Sequence, residues 1–262
     1  MLAKNESDII ETTLRHHMAL GLSGIVVFDN MSTDGTGDIA RSVPGVAVHL
    51  DRDLAFRQGG KNLKMTEIAM GHGAEWIIAI DADELWYPTR AASIPAAIRD
   101  ISVAGGSCFR ARTLDHVCSD FDDDAEENPV LRMRWRRTKL GVGKAAHRCE
   151  SGVHVWGGNE SIVRDGEVVE PPIRGKMLIR HYPVRGLKHL KRKAAFGWRA
   201  VNGQPGVHRN ACGHWRKWYI RLRENPAGFS DFYRRKILLT DRKLNKEHGG
   251  WLEDPFTPAH LM

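Results

Sequence analysis

Trp76-Ile77-Ile78-Ala79-Ile80-Asp81-Ala82-Asp83-Glu84 is a run of five apolar residues followed by three carboxylates in the next four positions. Five apolar residues have the length of a buried strand, and a charged group cannot follow them into a core without a partner. The strand therefore ends at a cleft or surface, with Asp81 and Asp83 two residues apart at its carboxyl end. Ligands of open α/β sheets bind at that end of the strands. Hard divalent cations such as Mg2+ and Mn2+ prefer carboxylate and phosphate oxygens, which makes the pair a candidate metal site. A solvated acidic turn has the same composition, because Asp is common in turns.

Upstream, apolar strands alternate with helical patterns. Ile9, Ile10, Leu14 and Met18 recur at helical spacing, with a start at Glu6 or Ser7 and a stop at Gly21. Residues 24–28 read as a strand, and Asp29-Asn30-Met31-Ser32-Thr33-Asp34-Gly35-Thr36 follows it directly. Its short polar side chains suit either a base or ribose edge, or a turn that holds itself together. A second strand at 46–50 and a helix at about 61–70 lead back to Trp76. This order predicts an α/β fold with a mostly parallel, Rossmann-like sheet flanked by helices. Only Met1-Leu2-Ala3 precedes Lys4-Asn5-Glu6, so the first strand is expected to be very short or truncated.

Beyond Ser107 the pattern becomes irregular, with strands expected at 108–112, 130–135 and 176–182. From about residue 186 the chain reads as a helical, basic and aromatic extension. The expected organisation is a catalytic domain over 1–185, with a nucleotide-binding half at 1–90 and an acceptor half at 91–185, then the extension over 186–262. Within that extension Leu187, Leu190, Ala194 and Trp198 form a helical stripe between lysines and arginines. Such a stripe packs on its own core or lies on an anionic membrane face.

The chain has 262 residues, 42% hydrophobic and 27% charged, which is enough for one substantial core and an appendage. No apolar run approaches the roughly 20 residues of a membrane span, and no signal-peptide pattern is visible. A cytoplasmic location is expected, with peripheral contact at the inner face of the membrane as an addition. Cys108, Cys118, Cys149 and Cys212 lack Cys-x-x-Cys spacing, so reduced thiols are expected rather than zinc ligands, despite the pairs His116/Cys118 and His147/Cys149. A net charge of +7 and a pI near 9.4 attract anions without naming one.

Lys4-Asn5-Glu6, then Phe28-Asp29-Asn30-x-Ser32-Thr33-Asp34-Gly35-Thr36, then Ile80-Asp81-Ala82-Asp83-Glu84 closely resembles family 2 glycosyltransferases of the GT-A fold, nearest to a bacterial subgroup with an Asp-x-Asp-Glu motif. The likeness covers about residues 1–90, and Ile179-Arg180-His181-Tyr182 looks like the late His-Tyr element of that subgroup. It implies transfer of a sugar from a nucleotide-diphosphate donor, UDP-linked, to a glycan or lipid-linked acceptor of cell-surface polysaccharide synthesis. By the same resemblance Asn5, Glu6, Asp29, Asn30, Asp34, Arg57, Lys61 and Asp81 line the donor nucleotide. Asp81, Asp83 and His181 would hold a divalent cation, Mn2+ or Mg2+.

An inverting transfer also needs a carboxylate to take the acceptor proton. The family's usual acidic motif is not evident in the second half. Glu150 and Glu160 are the candidates, together with the carboxylates of Ser119-Asp120-Phe121-Asp122-Asp123-Asp124. Trp86-Tyr87-Pro88 fits an apolar wall for a sugar ring or a piece of core. Two rival readings are a nucleotidyltransferase that makes a nucleotide-sugar, and a non-enzymatic nucleic-acid binder. Met1 to Glu11 holds no glycine for a phosphate loop, and no nucleic-acid-binding signature accompanies the charge, so no nucleic acid is expected as a partner.

Overall fold

The computed structural model describes residues 1–53, 58–202, 213–246 and 249–257. Strand β1 (Leu2–Ala3) is followed by helix α1 (Ile10–Ala19), β2 (Ile25–Asp29), α2 (Thr36–Ser42), β3 (Val46–Leu50) and α3 (Gln58–Gly71). The three strands form one parallel sheet with β2 in the centre, where Leu2 lies opposite Phe28 and Ile25 opposite Val46. Its apolar face packs Val27 and Ile25 against Ile10 and Leu14 of α1 and Ala40 of α2. Helix α1 begins three residues later than Ser7, because the backbone over 7–9 makes a turn in which Ile9 and Ile10 donate to Glu6 O at 3.0 and 2.9 Å. The expected short first strand is present as two residues.

Next come β4 (Trp76–Ile78), β5 (Glu84–Pro88), α4 (Ile94–Val103) and the long β6 (Cys108–Val117). Ser93 caps α4 by accepting from Ala96 N at 3.3 Å, and Pro95 sits in its first turn, where a missing N–H costs nothing. Then follow α5 (Pro129–Arg132), β7 (Trp135–Arg137), β8 (Gly143–Arg148), β9 (His154–Trp156), β10 (Ser161–Arg164), β11 (Glu167–Val169) and β12 (Ile173–His181). The chain ends in α6 (Leu187–Val201), α7 (Gly213–Glu224), α8 (Phe229–Lys236), α9 (Asp241–Lys246) and β13 (Trp251–Glu253).

The protein is therefore α/β, but the mostly parallel sheet is not what is observed. Among the described residues a seven-stranded mixed sheet joins β13, β7, β6, β12, β5, β8 and β4, and in it only β6 with β12 is parallel. Strand β4 pairs antiparallel with β8, Ile78 opposite Ala146, and not with β1. The cause lies in the connections. Between Cys108 and His181 the only helix among the described residues is the four-residue α5, too short for a parallel crossover, so the strands turn back on one another.

Helix α6 settles the orientation of the extension's stripe. Leu190 and Ala194 are fully buried, and Leu190 shares a core with Ile9, Leu85, Tyr182, Phe229 and Phe256. The apolar face is turned to the chain's own interior, and the extension is built onto the same core as the start of α1. Among the described residues no helix is long and apolar enough to cross a membrane.

Candidate functional site

The end of β2 holds the first polar cluster. Asp29 Oδ1 accepts from Ser32 N at 3.0 Å, and a Cβ on residue 37 would lie 2.4 Å from Asp29 Oδ2, so glycine there lets α2 approach the carboxylate. Asn30 Nδ2 donates to Asp51 Oδ2 at 2.9 Å and to Asp53 O at 2.7 Å. Lys61 pairs with the same Asp51 oxygen at 2.6 Å. Asp51 follows β3 and was not read from the sequence, since it stands outside any local motif. Arg57 lies outside the described residues.

Asn5 and Asp34 act mainly on the loop itself. Asn5 Oδ1 accepts from Thr33 N at 2.8 Å, while Asp34 accepts from Ser7 N at 3.2 Å and from Thr36 N at 3.1 Å. Lys4 Nζ donates to the carbonyls of Asn30 and Met31, each at 2.8 Å. These bonds latch the segment after β1 to the loop after β2 and fix the cluster's edge.

A second cluster forms where β4 turns into β5. Asp83 is nine-tenths buried, with His181 Nε2 3.9 Å from its Oδ1 and Lys193 Nζ 3.1 Å from its Oδ2. His181 ends β12, whose register sets it opposite both Glu84 on β5 and Asp115 on β6. Its Nδ1 is 2.8 Å from Asp115 Oδ1. Burial opposes the charge on Asp115, but His181 and Thr113 hold its carboxyl below the usual range. An ionised carboxylate only accepts, so Nδ1 carries a proton and Nε2 faces Asp83. Burial opposes charge on the ring, but Asp115, Asp83 and Glu84 raise its pKa, so Nε2 must give up its proton before it can ligate a cation.

Burial likewise opposes ionisation of Asp83, yet Lys193, His181 and Arg185 together hold its carboxyl far below the usual carboxylate range. The Arg185 side chain is completely buried; it is ion-paired with Glu6 and bonds Asp8 at 2.8 and 2.9 Å. It thereby ties the segment after β1 to the turn after β4. Burial pushes the Glu6 carboxyl up despite Arg185.

Asp81 faces a different set of partners. Lys144 Nζ is 2.9 Å from its Oδ2, and Asn159 Nδ2 donates to its Oδ1 at 3.0 Å. Lys144 also reaches the buried Glu84 at 3.1 Å and Gly158 O at 2.8 Å. The structure thus brings Asp83 and His181 together and gives Asp81 a separate place. No group of three or more His, Cys, Asp or Glu side chains able to hold a metal occurs among the described residues. A two-ligand site remains compatible with Mg2+ or Mn2+, which commonly take one or two carboxylates and complete their shell with phosphate and water. The carboxylate–imidazole–carboxylate line through Asp115, His181 and Asp83 fits such an ion, because the second carboxylate fixes the ring's tautomer.

The two base candidates part company. Glu150 lies just beyond the residue whose N–H bonds Glu75 O, at the opening end of β4, and is paired with Arg164 at 3.4 Å. That is the opposite end of β4 from Asp81. Glu160 adjoins Asn159, and burial raises its pKa while Lys144 and Arg110 pull it down. The run 119–124 is self-contained, with Ser119 Oγ donating to Asp122 Oδ1 at 2.6 Å. Trp86 is fully buried in the core against Phe109, so it cannot form a sugar wall; Tyr87 lies beside the Arg180 guanidinium at 5.8 Å.

Cys108, Cys118 and Cys149 are free thiols, and burial pushes Cys118 up to about 11. His116 is spent on Met133 O at 3.1 Å and on stacking with Tyr182. A cavity of about 560 Å3 separates Ile25 and Val26 of β2 from Trp76, Ile77 and Ile78 of β4, and Asp81, Asn62 and Asn159 also line it. Its lining mixes polar and apolar groups, and neither Asp83 nor His181 is among them. No family model matches this chain, and no curated protein matches it.

Proposed function

We propose that this chain is a glycosyltransferase that takes a sugar from a nucleotide-diphosphate donor, with UDP as the favoured nucleotide. The observation that carries the reading is the line Asp115–His181–Asp83 at the β4–β5 turn, tied through Arg185 and Glu6 to Thr36, at the end of the loop that follows Asp29 and Asn30. In this reading the polar cluster of Asp29, Asn30, Asp51 and Lys61 takes the base and ribose, and the diphosphate lies across the turn at Asp83. Asp83 and His181 would hold a divalent cation, Mn2+ or Mg2+, which would supply the positive charge that a departing nucleoside diphosphate needs.

The remaining steps fall to the chain's own groups. Arg185, buried among Glu6, Asp8 and Asp83, keeps the two sides of the cleft at a fixed separation. Glu160 takes the proton of the acceptor hydroxyl as that oxygen bonds to the anomeric carbon and the bond to the β-phosphate oxygen breaks, with inversion. Burial raises its pKa above the usual carboxylate value, which makes it a stronger base than an ordinary carboxylate. Lys144 sets the field at Glu160 and holds Asp81. The GT-A arrangement, with its acceptor half built on β6 to β12, belongs to the same proposal, as does a glycan or lipid-linked acceptor delivered near the basic extension.

The test is an assay of a panel of nucleotide sugars with and without Mn2+. Free UDP should appear only with metal, and Asp83→Asn should remove it. Absence of nucleoside diphosphate from every donor would refute the proposal. Release of pyrophosphate from a nucleoside triphosphate and a sugar phosphate would favour the nucleotidyltransferase instead.

A further inference from the structure

Asp83 carries a cation of the chain's own. Lys193 Nζ lies 3.1 Å from Asp83 Oδ2 and donates to Pro183 O at 2.9 Å. Three basic groups surround Asp83, and they differ in freedom. The Arg185 side chain is fully buried, with partners in Glu6, Asp8 and Tyr182, so it cannot leave without breaking both ion pairs at once. His181 is fixed by Asp115. The Lys193 side chain is 22% exposed and sits at the end of a four-carbon stem on α6. A lysine ammonium is a point charge with three rotatable donors, suited to exchanging one oxygen ligand for another.

We infer that Lys193 is a placeholder cation: it neutralises Asp83 in the empty site and swings to the donor's diphosphate oxygens when a divalent ion takes Asp83. The inference rests on the proposed function and adds to it a residue, a ligand chemistry and an exchange. Charge requires the move. With Asp83 engaged by a divalent ion, an ammonium left 3.1 Å from the same carboxylate would face a like charge. A nucleoside diphosphate brings two phosphates to the same place, and a lysine near them gains a charge-assisted hydrogen bond. Lys193 would thus weaken metal binding in the absence of donor and strengthen it in its presence, so that metal and donor load together.

The experiment compares wild type, Lys193→Gln and Lys193→Arg, with Lys191→Gln as a neighbouring α6 control. Mn2+ alone is titrated by the electron paramagnetic resonance signal of the free ion, and UDP is then titrated at saturating Mn2+. Lys193→Gln should bind Mn2+ alone about tenfold more tightly and UDP about tenfold more weakly, the scale of one charge-assisted hydrogen bond. Lys193→Arg should recover much of the UDP affinity, and the control should match wild type. A merely structural ion pair predicts a lower melting temperature for Lys193→Gln with both affinities within twofold of wild type. That result would overturn the inference and leave the proposed function standing, provided Asp83→Asn still abolishes Mn2+ binding. If neither wild type nor Lys193→Gln binds Mn2+ or UDP, both fall together.

Discussion

At Asp115 one hydrogen bond decides what His181 can do. With Nδ1 committed at 2.8 Å, the ring offers Nε2 to Asp83. Asp115→Ala should free the ring to turn and lower Mn2+ affinity by about 10- to 100-fold, the usual cost of losing a supporting carboxylate. An unchanged Mn2+ titration would remove His181 from the site. In the nucleotide pocket, Asn30→Leu leaves Asp51 short of a donor and should weaken UDP binding by about 1–3 kcal/mol. Calorimetry showing equal affinity, or a preference for GDP over UDP in wild type, would contradict the pocket assignment. Asp29, Asn30, Asp83 and His181 were legible in the sequence because each sits in a short motif at a strand end. Asp115, Lys144, Asn159 and Lys193 were not, because they meet their partners across 66, 63, 78 and 110 residues. A Gly-Lys pair in 143–144 and a Lys on an amphipathic helix carry no local mark of those contacts.

The first three strands and their helices came through from the sequence nearly in place, because apolar strands and 3.6-residue spacing are local signals. The parallel arrangement did not extend past them. Register and partner choice depend on connections, and the long helix-poor stretch from 108 to 181 forces antiparallel returns that periodicity alone does not reveal. The apolar stripe of helix α6 was read with two possible partners, its own core or a membrane face, and Leu190 and Ala194 pack into the core. Its contact with α7 turns on Gly197, where a Cβ would lie 2.5 Å from Trp215 Cδ2. Gly197→Val should force the helices apart and lower unfolding free energy by about 1–3 kcal/mol in urea titration. Wild-type stability in that variant would mean that α7 does not pack against α6 in solution.

Across the whole molecule, buried histidines make stability depend on pH. Burial pushes His17 down to about 3, with His16 adding to the effect, and pushes His116 down to about 3, with Arg180 adding to it. Both are neutral in the folded protein and bind a proton near pH 6.5 when unfolded. The unfolded state therefore gains protons first, so this stability is fully present above about pH 6.5 and is lost as pH falls toward 3. Between pH 7 and pH 5 each histidine should remove at most about 2 kcal/mol. Thermal melts at the two pH values should show the decline, and equal melting temperatures would show these rings to be solvated. The same burial that closes the core around α1 also fixes Glu6 beside Arg185 and Asp83, so core and cleft are one structure. If the site binds a nucleoside diphosphate through a divalent cation at Asp83, binding must require both the metal and that carboxylate. Isothermal titration of UDP, with and without Mn2+, into wild type and Asp83→Asn tests it most directly. Binding is expected only in wild type with Mn2+. Equal binding without metal, or undiminished binding in Asp83→Asn, would contradict it.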